Sequence, residues 1–136
     1  MLYIADQFNH VNQFFVLLDS AIADIKYASP IRMRTVKEFA ASMELHPNYL
    51  NTLLKRHTGE NVSSHIRKRL LEVSKNLLLE TDWYVQDISY CMGFSDQPNF
   101  NMFFKKNVGY TPSEYRRLAV AIDNSESISI IPSHQV

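Results

Sequence analysis

The chain has 136 residues, 46% of them apolar and 21% charged, which suits one compact domain or two very small subdomains and excludes a disordered chain or a multidomain enzyme. Three glycines and five prolines are too few for an all-β sandwich or barrel, and the single cysteine, Cys91, excludes an intramolecular disulfide and favours a reducing setting. The formal net charge is zero, yet residues 31–117 carry 13 basic and 9 acidic side chains, a net of +4 that the ends of the chain offset.

In the first segment Ile4, Phe8, Val11, Phe15, Leu18, Ile22 and Ile25 recur at alternating spacings of four and three, which predicts a helix with a narrow apolar seam. Phe14, Leu17 and Ala21 widen that seam, so it can pack on its own chain or pair two chains as a homodimer through residues 4–25. Ser29-Pro30 is expected to end the helix, because proline cannot continue one. Residues 1–30 therefore read as an N-terminal linker or dimerisation helix.

Thr35-Val36-Lys37-Glu38 is a capping box that starts a short helix through Phe39, Ala40 and Met43 toward Glu44-Leu45. His46-Pro47 opens a second helix with proline in the first turn, where its missing N–H costs nothing, and Gly59 closes it in the left-handed region. A long amphipathic helix from about Val62 to Leu79 follows, with Ile66, Leu70, Val73, Leu77 and Leu78 inward. Residues 31–80 form a first subdomain with this connecting helix. After Thr81-Asp82 the arrangement returns over residues 81–117: a short helix Val85–Met92, a turn at Gly93-Phe94, Ser95 as cap, Phe100, Phe103 and Phe104 in a second helix, and Gly109 at its end. Thr111 and Glu114 make a capping box for one more helix. Residues 118–136 read as a mobile tail, whose ISII run could add to a neighbour's sheet edge.

The return is an internal repeat. VKEFAASMEL and VQDISYCMGF align without a gap at an offset of 49, and LNTLLKRHTG aligns with FNMFFKKNVG at 50, pairing Asn51 with Asn101, Lys55 with Lys105 and Gly59 with Gly109. In the shared turn Glu44 stands where the second copy has Gly93, which predicts a positive φ at Glu44.

Two short helices joined by a tight turn, the second capped and polar outside, form a helix-turn-helix. Such a second helix fits the major groove, which is about 12 Å wide, and two copies spaced by a rigid helix could occupy successive grooves about 34 Å apart. The expected base-contacting residues are Asn48, Tyr49, Asn51 and Thr52 in the first unit and Asp96, Gln97, Asn99 and Met102 in the second. Lys55, Arg56, Arg67, Lys105 and Lys106 are the expected phosphate contacts.

The stretch DISYCMGFSDQPNFNMFFKKNVGYTPSEYRR fills nearly every defining position of the AraC/XylS C-terminal signature, and TVKEFAASMELHPNYLNTLLKRHTGENVSSHIRKRLLEVSKNLLLET resembles the first unit and connecting helix of the same bacterial regulators. The resemblance covers about residues 31–117. It implies an all-α, homeodomain-like, seven-helix module of two helix-turn-helix subdomains, here with an extra N-terminal helix. It also implies sequence-specific binding of double-stranded DNA, RNA polymerase as a further partner, a cytoplasmic, nucleoid-associated location, and an effector acting only through a domain absent from this chain. The sequence departs from the family at Thr52 and Met102, where members often carry arginine.

The competing class is a protein-interaction or dimerisation module without specific DNA binding. An enzyme finds no support: His10, His46, His57, His65 and His134 lack metal-ligand spacing, Cys91 sits on a helix, and there is no glycine-rich phosphate loop. Neither cofactor nor metal is expected. No apolar run reaches the ~18 residues of a membrane span, and MLYIADQFNH lacks the layout of a signal peptide.

Overall fold

The computed structural model describes residues 2–135, with side-chain surroundings for 4–124. It contains seven helices in the order α1 (Leu2–Ala23), α2 (Val36–Ser42), α3 (Pro47–Thr58), α4 (Val62–Glu80), α5 (Val85–Cys91), α6 (Gln97–Val108) and α7 (Pro112–Gln135). Among the described residues no strand forms beyond an isolated bridge between Lys26 and Ser29. No helix there is long and apolar enough to cross a membrane.

Helix α1 packs on α3 and α4, α2 packs on α3, and this group makes the first unit. Helices α5, α6 and α7 make the second, joined to the first by α4. The N-terminal helix is thus one of the seven rather than an addition. Its buried stripe is Gln7, Val11, Phe14, Leu18 and Ala21, turned from the expected seam, and Ile4 and Phe8 are 54% and 52% exposed. On this stripe Gln7 Oε1 sits 3.4 Å from Arg56 Nη1 and 3.1 Å from His57 Nε2, so a residue that hydropathy assigns to the outside faces α3 with its oxygen satisfied.

Helix α1 also stops at Ala23, earlier than Ser29-Pro30, and Ile25 lies beyond it. Residues 24–34 leave the first unit and lie against the second. Ile31 N–H donates to the Cys91 carbonyl (2.9 Å), Cys91 Sγ to the Lys26 carbonyl (3.4 Å), and Tyr27 Oη to Asp87 Oδ2 (3.2 Å), while the Tyr27 ring meets Trp83 edge-on at 5.1 Å. Ala28 turns this strap with φ +64°.

The predicted local signals act as expected at most helix ends. Thr35 and Glu38 exchange both bonds of the capping box, His46 Nδ1 accepts from Asn48 N–H with Pro47 behind it, and Gly59 and Gly109 close α3 and α6 at φ +85° and +97°. Glu44 has the predicted positive φ, +57°. Three details differ. The cap of α6 is Asp96, whose Oδ1 accepts from Asn99 N–H at 2.9 Å, and not Ser95, because a carboxylate one residue closer reaches that donor. The buried stripe of α4 is Val62, Ile66, Leu70, Ser74 and Leu78, with Val73 and Leu77 on its flanks; Ser74 Oγ donates to the Leu70 carbonyl and so enters the core satisfied. Residues 118–135, expected as a tail, continue α7, and the ISII side chains lie outside the described ones.

The buried side chains of the two units belong to one hydrophobic cluster. Phe14 and Phe39 meet at 5.3 Å above Leu50, Leu53 and Leu54 in the first unit, whereas Phe100, Phe104, Ile88 and Met92 fill the second. Phe103 is only half-buried. Each such side chain contributes about 1.5–3 kcal/mol by leaving water. Packing on both sides of the turn holds each second helix at a fixed angle to the first.

Candidate nucleic-acid interface

Helices α3 and α6 each span 12 residues, begin with proline in the first turn and end on a left-handed glycine. Their buried faces carry Leu50, Leu53 and Leu54 on one and Phe100 and Phe104 on the other. Their other faces carry the residues expected to meet DNA. On α3, Asn48 and Thr52 are exposed, with Thr52 Oγ1 donating to the Asn48 carbonyl (2.9 Å). On α6, Asn99 is exposed and Met102 is 67% exposed. Asn99 Nδ2 lies 3.4 Å from Ser95 Oγ and 3.2 Å from Asp96 Oδ2, which holds its amide at the start of the helix.

Other candidates have structural employment. Tyr49 is half-buried with its ring edge-on to His10 at 5.8 Å. Gln97 is half-buried in the first turn of α6. Asp96 is the cap of its helix. Asn51 is half-buried, and its Oδ1 accepts the Val62 N–H at 3.1 Å, satisfying a donor at the start of α4 that has no intrahelical partner. Its counterpart Asn101 has a buried Oδ1 with no partner, because the residue equivalent to Val62 is Pro112, which has no N–H to give.

The cations divide in the same way. Lys55, Lys105, Lys106 and Arg67 are exposed, and among the described residues none is in an ion pair. Arg56, also exposed, donates to Gln7. Arg116 is consumed by the carbonyls of Leu78, Trp83 and Thr81 at 3.0, 2.8 and 3.2 Å, pinning the α4–α5 loop. One cation escaped the sequence reading. Arg34 stands alone before the α2 capping box, and its guanidinium lies over the Phe94 ring at 4.6 Å. Spacing alone gives no sign of this, since the two residues meet only when the strap crosses to the second unit.

Titratable groups at the helix starts are tuned by their caps. The Thr111 N–H and hydroxyl hold the Glu114 carboxyl below its ordinary value, and Lys68 with Ser64 does the same for Glu60. Burial pushes His65 down from its ordinary value; its ring packs on Phe15 at 5.1 Å and its Nε2 is 2.7 Å from Thr58 Oγ1.

Comparison with known proteins gives the same assignment. A helix-turn-helix domain family model matches residues 39–118. The chain is 41% identical over 75 residues to the uncharacterized transcriptional regulatory protein YesN of Bacillus subtilis, a match that takes in 54% of this chain and 20% of that one. The C-terminal domain of the two-component response regulator yesN from Fusobacterium nucleatum superimposes with a TM-score of 0.66 at 24% identity, covering 79% of this chain and 98% of that domain. The DNA-binding domain of AdpA, a global transcriptional factor solved with a target DNA, also reaches 0.66, at 16% identity over 82% of this chain and 93% of that one. Three curated relatives are matched over only 20%, 11% and 32% of their own length, so the chain corresponds to a fraction of those proteins. On the family match and the paired helix-turn-helix units together, the chain belongs to the AraC-type helix-turn-helix family of DNA-binding transcription regulators.

Proposed function

We propose that the chain binds double-stranded DNA sequence-specifically, with α3 and α6 entering successive major grooves on one face of the duplex, and that it regulates bacterial transcription by doing so. The observation that carries this reading is the pair of matched, capped helices whose outer faces offer Asn48 and Thr52, then Asn99 and Met102, beside cations that are in no ion pair among the described residues. Asparagine can bond the N6 and N7 edge of adenine in two places, and the Met102 thioether suits a thymine methyl. Tyr49, Gln97 and Asp96 border this surface. Lys55, Arg56, Lys105, Lys106 and Arg67 meet phosphates, which positions the helices without reading sequence.

Without an arginine at positions 52 and 102, the bidentate guanine contact is missing from the middle of both helices. The preferred site is therefore A·T-rich where the helices touch it. In this reading RNA polymerase is a further partner and residues 4–25 are a candidate homodimer contact.

Selection of bound duplexes from a random pool tests it. Two A·T-rich half-sites about one helical turn apart are expected. Affinity for the selected duplex should fall steeply with salt as phosphate contacts release counterions. A pool that yields no motif, or an affinity that hardly changes with salt, would overturn the reading in favour of a protein-interaction module.

A further inference from the structure

Three cations from three separate elements line one cleft of about 580 Å³ between the two units: Arg34 from the strap before α2, Arg67 from α4 and Lys106 from α6. Phe94 and Phe103 contribute apolar wall, Asn107 adds a polar group, and among the described residues no carboxylate lines it. The neighbours of these cations in sequence behave differently. Arg32 pairs with Asp24, Lys68 with Glu60, and Arg69 with Asp19, whereas Arg34, Arg67 and Lys106 are in no ion pair among the described residues. Gathering three like charges at an apolar-walled cleft is unfavourable until an anion arrives.

Arg34 is also held in place. Its guanidinium lies over Phe94 at 4.6 Å, which fixes its plane and leaves its N–H edge for a planar or tetrahedral oxyanion. A Cβ on Gly93 would stand 2.9 Å from Arg34 Cδ, so the glycine that makes the turn also makes room for this side chain. The adjoining cleft, which Arg34, Phe94 and Lys106 share, has Ser95, Asn99 and Met102 on its rim. A ligand lying on the exposed face of α6 therefore passes over Arg34 and Lys106 and reaches the cleft that Arg67 also lines.

We propose that this cleft seats a phosphodiester group of the DNA backbone, between the groove occupied by α6 and the one occupied by α3. The inference rests on the DNA-binding reading above and deepens it: Arg34 becomes a contact residue, and one phosphate is held jointly by the strap, the connecting helix and the second recognition helix. The seat would tie the spacing of the two half-sites to the spacing of the two units.

The test uses the full chain, its selected duplex, and a series of that duplex with single neutral methylphosphonate linkages along each strand. Arg34→Gln should weaken binding about tenfold. It should also lower the salt slope, by no more than about 0.9, the share of one phosphate. One methylphosphonate between the half-sites should weaken the wild type clearly more than it weakens Arg34→Gln. Arg67→Gln, on an exposed helix position with no partner, should lose sensitivity at that same linkage, and both variants should melt like the wild type. If the wild type binds duplex and Arg34→Gln binds equally well with the same salt slope, the seat is wrong and the DNA reading stands. If Arg34→Gln weakens binding but every neutral linkage acts alike on both proteins, Arg34 only orients the units and the seat is wrong. If the wild type binds no duplex, the functional reading falls and takes the seat with it.

Discussion

Asn51 and Asn101 occupy the same place in the two units, and only one of them is satisfied. Asn51 accepts the Val62 N–H and links α3 to the start of α4; in the second unit Pro112 stands in the place of Val62, and Asn101 keeps a buried, unpaired oxygen among the described residues. The same contrast recurs along the repeat. At the turn, Glu44 holds a left-handed conformation at φ +57° that Gly93 adopts freely at +86°. His65 lies against Phe14 and Phe15 where Tyr115 lies against Phe104. Helix α1 covers the first unit and ties down Arg56 and His57 of α3 through Gln7, while the recognition face of the second adjoins the cationic cleft. A duplicated backbone plan is thus finished by different chemistry in each copy: the Asn51 bond to Val62 and a left-handed Glu44 in the first, the unpaired Asn101 oxygen and a left-handed Gly93 in the second.

Four measurements would break or sharpen this contrast. The largest effect should come from the cores. Phe104→Ala should cost about 4 kcal/mol and Leu54→Ala about 3 in urea denaturation, because the aromatic ring leaves the larger cavity and also loses Phe100 and Tyr115. A larger loss at Leu54 than at Phe104 would show that the size of the cavity left behind does not set the cost.

The turns come next and should respond with opposite signs. Gly93→Ala should lose about 1–2 kcal/mol, since alanine is strained at φ +86° and its Cβ would crowd Arg34. Glu44→Gly should gain about 0.5–1 kcal/mol by relieving the same strain, less the added entropy of the unfolded chain. Equal signs in thermal melting would show that the two turns are not equivalent.

The asparagines should differ by about 1–2 kcal/mol. Asn51→Ala leaves the Val62 N–H without its partner and destabilises by about that amount, whereas Asn101→Leu removes an oxygen that has no partner and should be neutral or stabilising. Asn101→Leu destabilising as much as Asn51→Ala would mean that the orphaned oxygen is satisfied in solution.

The smallest effect concerns pH. Burial lowers the His65 pKa below 6.5, so the unfolded chain binds the proton more readily than the folded one. Stability should therefore be full above pH about 6.5 and fall as pH drops toward the folded-state pKa, a step that His65→Gln abolishes. Glu60 and Glu114, whose folded-state values lie below 4.5, contribute at higher pH and lose that contribution only as pH falls below 4.5. An unchanged profile from pH 7 to 5 in both proteins would show that His65 is not desolvated.

Much of the fold is legible in the sequence because its signals are local. The Thr35/Glu38 and Thr111/Glu114 boxes, Pro47, Gly59 and Gly109 each act within about one helical turn, and the structure has each doing what its chemistry predicts. The positive φ of Glu44 is legible only because the repeat sets it beside Gly93. Where the reading fails, a residue's partner is distant in sequence. Gln7 is inside with Arg56 and His57 as its partners, and α1 ends early where the strap pairs with Cys91 and Asp87. The candidate site follows the same rule. Asn48, Thr52, Asn99 and Met102 stand exposed as their helical positions suggest, while Asn51 is claimed by Val62 and Arg34 was not visible at all.

The sequence by itself determined that this chain makes two copies of a capped helix pair around a long helix, since helix periodicity and capping are properties of short stretches of chain. Only the tertiary structure decided how α1 turns its face, which amide is spent on a neighbouring helix, and that three cations far apart in sequence share one cleft. Those outcomes depend on pairings across the strap and between units, whose geometry is set by packing of the whole core and is written in no local pattern.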